Sequence, residues 1–174
     1  MDSDGYLSQL ADIFNGITVN TPSISAIIAI VLAGVLLLAS GFASASEIAF
    51  FSLTPSDRND IDEQNHPSDE KISALLGDSE RLLATILITN NFVNVTIIML
   101  CNFFFMNVFV FHSPLAEFLI LTVILTFLLL LFGEIMPKIY SAQKTLAFCR
   151  FSAPGIYFLE KLFRPIATVL VRST

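Results

Sequence analysis

The sequence predicts an all-α integral membrane protein with three transmembrane helices, and three observations carry that expectation. Of its 174 residues 55% are hydrophobic and only 14% charged, where a soluble domain carries about a quarter charged residues. The shortfall is concentrated: residues 13–46 and 82–116 hold no Asp, Glu, Lys or Arg, and Glu134 is the single charge between Glu117 and Lys138. A helix rising about 1.5 Å per residue needs roughly 20 apolar residues to cross the hydrocarbon layer. Each of the three stretches supplies that length.

Residues 1–23 carry Asp2, Asp4 and Asp12 and no Lys or Arg. The basic start of a secretory leader is therefore missing, and this segment reads as an extracytoplasmic lead into a retained first span over about residues 24–52. Residues 53–81 form an acidic connection holding eight of the fifteen acids, from Asp57 to Glu80. Its part Thr54–Glu70, with Pro55, Pro67 and many Asp and Asn, predicts loop and short solvated helix in the cytoplasm. A vestibule that attracts cations is the competing reading. The second span is expected over 82–111 and the third over 117–138. Beyond it, residues 139–174 mix apolar, basic and aromatic positions (Phe148, Phe151, Tyr157, Phe158, Phe163), as juxtamembrane interfacial helices do, with breaks expected at Pro154 and Pro165. Arg150, Glu160, Lys161 and Arg164 interrupt every window for a fourth span.

The basic residues give the orientation. None of the nine precedes the first span, three (Arg58, Lys71, Arg81) lie between spans one and two, and six (Lys138, Lys144, Arg150, Lys161, Arg164, Arg172) follow span three. By the positive-inside rule their common side is cytoplasmic. The N-terminus is then outside and the C-terminus inside the cytoplasmic (inner) membrane. Cys101 and Cys149 form no motif with either histidine and read as small buried residues. No nucleophile–base pair or metalloprotease motif is present, so an enzyme is not expected, nor is a nucleic-acid partner.

Polar groups inside a bilayer are costly and each requires a reason. Span one ends in Ser40-Gly41-Phe42-Ala43-Ser44-Ala45-Ser46-Glu47, whose small residues suit close helix packing; Ser40, Ser44 and Glu47 share one face. Span two holds Asn90, Asn91 and Asn94. Asn90 and Asn94 project from one face, either for interhelical hydrogen bonds worth about 0.6–2 kcal/mol or as carbonyl ligands to a hard cation. Span three contains Gly133-Glu134-Ile135-Met136-Pro137-Lys138. Pro137 lacks an N–H, so in an α-helix the Gly133 carbonyl loses its partner directly beside the only carboxylate of that span. Lys138, four residues on, offers a simpler role as the neutralising partner of Glu134. Asn102 and Asn107 lie farther along span two, as hydrogen-bonding or pore-mouth residues. All donors in these clusters are oxygens, which suits Mg²⁺, Ca²⁺ or Na⁺ rather than Zn²⁺ or Cu. With so few formal charges, binding is weak enough to permit release.

Three segments in fixed order resemble one known family. Phe42-Ala-Ser-Ala-Ser-Glu-Ile-Ala-Phe-Phe-Ser-Leu53, Asp78-Ser-Glu-Arg-Leu-Leu-Ala-Thr-Ile-Leu-Ile-Thr-Asn-Asn-Phe-Val-Asn94 and Phe132-Gly-Glu-Ile-Met-Pro-Lys138 are similar to the transmembrane domain of the CorC/CNNM magnesium transporters. The resemblance spans roughly residues 24–172, with Ala45 where most relatives carry Gly. It implies three transmembrane helices with a juxtamembrane helical belt, a homodimer, and an inward-open acidic cavity with a cation site drawn from all three helices. Ser44, Asn90, Asn94 and Glu134 are then the side-chain Mg²⁺ ligands and Gly133 offers a main-chain oxygen. Ser40, Ser46, Glu47 and Asn91 stand as secondary residues of the cation path, and Pro137 as the helix break.

Family members normally continue into a pair of ATP-binding cystathionine-β-synthase-type domains. This sequence is expected to lack that pair, as a piece of a longer protein or a minimal member, and ATP is not expected to bind it. The resemblance implies divalent-cation transport, Mg²⁺ efflux or exchange. The alternative is a non-transporting anchor that assembles with a cell-envelope machinery for gliding or secretion. Retention of all four ligand side chains favours transport.

Overall fold

A computed structural model describes residues 18–111 and 114–173. The expectation for residues 1–17 lies outside the described residues. The first span, α1 (Ile24–Phe51), opens on Ser23, whose hydroxyl accepts the Ala26 N–H, a cap that meets one of the unpaired first-turn donors. It closes just before Thr54-Pro55, where the residue preceding proline is pushed out of the α region. Thr54 then starts α2 (Pro55–Asp62) with a reciprocal capping box to Asp57 and proline in the first turn. The connection continues in α3 (Asp69–Leu76), with Asp69 and Glu70 at its positive end. Asp78 caps the second span, α4 (Ser79–Val108), by accepting the Arg81 N–H.

Two short strands were not foreseen. β1 (Thr18–Val19) pairs antiparallel with β2 (Phe109–Val110), Thr18 opposite Val110 and Val19 opposite Phe109. The Asn20 N–H adds a bond to the Val108 carbonyl at 2.7 Å. This ribbon ties the lead into α1 to the far end of α4, which therefore stops at Val108.

The third span begins as α5 (Pro114–Leu128), passes through a π-helical segment at Leu129–Ile135, and resumes as α6 (Met136–Gln143). Among the described residues three helical stretches are thus long and apolar enough to cross a membrane: Ile24–Phe51, Ser79–Val108 and Glu117–Gln143. Their outward faces carry exposed Ile28, Val35, Leu87, Met99, Val123 and Phe127, as a surface solvated by lipid tails requires.

The final helix, α7 (Thr145–Ser173), corrects one expectation. It runs unbroken through Pro154 and Pro165. A proline inside a helix removes one hydrogen bond and crowds the preceding turn, but Cys149, Ala153 and Ile156 are wholly buried against α1, the connection and α4. Packing on both sides of Pro154 holds the helix together.

The acidic connection is also less solvated than its composition predicts. Ile61, Ile72 and Leu75 join Phe50, Leu82, Cys149 and Ile156 in one buried cluster at the end of the molecule that carries the basic residues. Asp69 is fully buried there and accepts a two-pronged pair from Arg150 of α7, Nε at 2.8 Å and Nη2 at 3.0 Å, together with the His66 N–H at 3.0 Å. Burial would push the Asp69 carboxyl up; the Arg150 bonds and charge and the His66 N–H outweigh it and hold it below its ordinary value of 3.8. A second cluster, Ala33, Val93, Ile97, Cys101 and Leu125, fills the bundle towards the strand end. The polar residues lie between the two.

Candidate cation site

Alanine, glycine and serine along one stripe of α1 allow the helices to approach closely. Ala26, Ala29, Ala33, Ser40, Gly41, Ala43, Ser44 and Ala45 are all buried, and α4 packs along this stripe more than any other element does. The i, i+4 spacing then turns both Asn90 and Asn94 of α4 onto Ser40 of α1. The Ser40 Oγ lies 2.8 Å from Asn90 Oδ1 and 2.7 Å from Asn94 Oδ1. One hydroxyl has one proton. With both amides in this orientation, three oxygens converge on a single proton, which serves one amide oxygen at a time.

One turn along α1, the Ser44 Oγ is buried and has no hydrogen-bond partner among the described residues. Buried hydroxyls are ordinarily paired. Thr85 of α4 holds the other such hydroxyl.

The third span approaches at Gly133. A Cβ there would stand 3.2 Å from Ser40 Oγ, so only glycine lets the backbone come this near without displacement. Gly41 makes the matching approach from α1, where a Cβ would stand 3.0 Å from the Pro137 ring and 3.3 Å from the Phe132 carbonyl. The π register adds main-chain oxygen to the site. Met136 N–H donates to Leu131 O, and from Ile139 onward the i→i−4 ladder of α6 reaches back to Ile135. Pro137 donates nothing. The sequence pointed to one freed carbonyl, on Gly133; in the π register the carbonyl that Pro137 fails to serve lies within the Phe132–Gly133 turn.

Glu134 is half-buried beside Gly133. Lys138 does not neutralise it. The Lys138 ammonium instead pairs with Glu47 of α1 at 3.1 Å, because the π turn and Pro137 alter the α-helical spacing on which an i, i+4 pair depends. Among the described residues Glu134 makes no ion pair.

Ser40, Asn90, Asn94 and Gly133 are thus brought together, with Ser44 one turn away and Glu134 adjacent in the chain. Ser46 turns back on its own helix, donating to the Phe42 carbonyl at 2.6 Å. Asn91 is exposed on the other side of α4, and Glu47 is engaged by Lys138. Asn107 accepts the Ser23 hydroxyl at 3.0 Å near the strand end, far along α4. Ser141 was not singled out by the sequence; its buried hydroxyl donates to the Ala45 carbonyl at 2.7 Å and pins α6 to α1 just beside Ser44.

Residues 28–174 match the model of the cyclin M (CNNM) transmembrane N-terminal domain. The chain belongs to the CNNM family. A UPF0053 protein of Haemophilus influenzae is 31% identical over 134 residues, covering 77% of this chain and 31% of that protein. The UPF0053 protein sll1254 of Synechocystis is 26% identical over 140 residues, covering 80% of this chain and 39% of that protein. The CNNM domain described here thus spans about a third of the length of these curated relatives. The matched region takes in every residue of the Ser40–Asn90–Asn94–Gly133 cluster, so this CNNM membrane domain carries the whole of its own oxygen cluster.

Proposed function

We propose that this domain binds and moves a divalent cation, Mg²⁺, through the oxygen cluster at the junction of its three spans. The observation that carries the reading is the convergence of Ser40 Oγ, Asn90 Oδ1 and Asn94 Oδ1 with one proton among them. A cation entering there meets lone pairs already gathered, at no cost in reorganising the helices. Ser44 Oγ, the Glu134 carboxylate and a freed carbonyl of the Phe132–Gly133 turn supply further oxygens, and the carboxylate supplies the only formal negative charge.

An all-oxygen donor set suits a hard cation such as Mg²⁺. Neutral amides and hydroxyls with one carboxylate hold the ion loosely, as transport demands. Nine basic residues on one side of the spans support a cytoplasmic C-terminus. Efflux or exchange by alternating access in a homodimer, in the inner membrane, completes the reading.

Calorimetric titration of the purified domain with Mg²⁺ tests it, alongside Asn94→Ala. Binding in the wild type that is lost in the variant supports the site. Equal affinity in both removes it and returns the domain to an anchoring role.

A further inference from the structure

We propose that the groove between α1, α6 and α7 holds an acyl chain of an acidic phospholipid whose headgroup meets Lys144. The groove has a volume of about 490 Å³. Gly41 and Pro137 form its floor, packed directly against each other where α1 meets α6. Phe42, Tyr140, Phe148 and Phe151 form its walls, with ring centroids 6.3 Å apart for Phe42–Phe148, 6.1 Å for Phe42–Phe151 and 6.5 Å for Tyr140–Phe148. Phe151 is 70% exposed and Tyr140 57% exposed. Here α7 crosses the ends of two spans and makes a slot that a linear chain can fill.

Charge decides the occupant. Lys144 caps α6 in the turn between Tyr140 and Phe148, and it is exposed with no ion pair among the described residues. The neighbouring basic groups are engaged: Lys138 by Glu47 and Arg150 by Asp69. One uncommitted cation in the turn that joins two wall residues of an apolar slot complements an anionic headgroup on a hydrocarbon tail. Leu37 and Leu38 of the first span also line the groove, which puts it at bilayer depth, beyond the reach of a soluble partner. Its floor is the reverse side of the turn that carries Gly133 and Glu134, so a seated chain braces that turn.

Native mass spectrometry of the purified domain titrated with phosphatidylglycerol or phosphatidylcholine tests the proposal. The first bound lipid should favour phosphatidylglycerol about five-fold, the share expected of one lysine near a headgroup. Lys144→Glu, an exposed position that leaves the core intact, should abolish that preference. Tyr140→Ala with Phe151→Ala should lower retention of both lipids. Equal retention of the two lipids by the wild type, or a preference unchanged in Lys144→Glu, overturns the proposal. So does efficient disulfide cross-linking between copies carrying Phe151→Cys in bilayers, which would make a second copy the occupant.

Discussion

Lys138 reaches across from α6 to hold Glu47 of α1 at 3.1 Å, and in doing so it does not pair with Glu134, one turn earlier on its own helix. The two carboxylates therefore differ in availability: among the described residues Glu47 is in an ion pair and Glu134 is not. Both partners of the Lys138–Glu47 pair are about one-third exposed (33% and 35%), so the pair contributes only about 0.2–1 kcal/mol. Glu134→Gln should weaken Mg²⁺ binding ten-fold or more in calorimetry. Lys138→Met should lower the melting temperature by a few degrees and leave Mg²⁺ affinity within about two-fold. A larger loss of affinity in Lys138→Met than in Glu134→Gln would reverse the assignment of the two carboxylates.

Ser40 supplies the only proton within the three-oxygen group, so its removal has two separate effects. Ser40→Ala removes the one donor that the two amide oxygens share, at a cost of about 1–3 kcal/mol, and deprives a cation of one ligand. Thermal melts of the variant should start lower than wild type, and the stabilisation by saturating Mg²⁺ should shrink, since a ligand stabilises only in proportion to its affinity for the folded state. A Mg²⁺-dependent shift as large as that of the wild type would count against Ser40 as a ligand.

Gly133 offers a more delicate test, because alanine adds only one carbon. That carbon would lie 3.2 Å from Ser40 Oγ, close enough to force a shift of a few tenths of an ångström. Gly133→Ala should fold and run as wild type in size exclusion while binding Mg²⁺ several-fold more weakly. Gly133→Val, with two further carbons against α1, should also lose thermal stability. Wild-type Mg²⁺ affinity in Gly133→Ala would mean that the third span does not need its close approach.

Which parts of this arrangement were legible in the sequence follows from how local their causes are. The three spans were readable because a bilayer imposes length and an absence of charge on each segment separately. Asn90 and Asn94 were readable as a pair because four residues make one helical turn. Ser40 and Ser44 occupy the same face, so the sequence could not tell which one meets the asparagines; the rotation of α1 against α4 decides that, and it favours Ser40. The partner of Lys138 depended on a π turn that one cannot derive from Leu-Leu-Leu-Phe-Gly-Glu-Ile. Asp69 was hidden among eight acids of the connection, since its partner Arg150 stands 81 residues away. The prolines of α7 were read by local rule, and buried packing at Cys149, Ala153 and Ile156 overrode it.

The Asp69–Arg150 pair ties the connection to α7, and its chemistry sets a pH dependence. The Asp69 carboxyl is held below 3.8 in the folded protein. A depressed carboxyl contributes stability that is fully present above its unfolded value and is lost as pH falls through its folded value. The attachment should therefore be constant from neutral pH down to about pH 4 and weaken below it. Asp69→Asn should mimic the acid state at neutral pH, leaving Arg150 with a neutral acceptor at a cost of about 2–3 kcal/mol. Amide exchange measured by mass spectrometry should then rise in α2 and α3, Pro55–Asp62 and Asp69–Leu76, while the cores of α1 and α4 stay protected. The same segments should open in the wild type only at the acid end of the range. Uniform loss of protection across all three spans would instead make the pair a determinant of the whole fold, because Ile61, Ile72 and Leu75 share one cluster with Phe50 and Leu82.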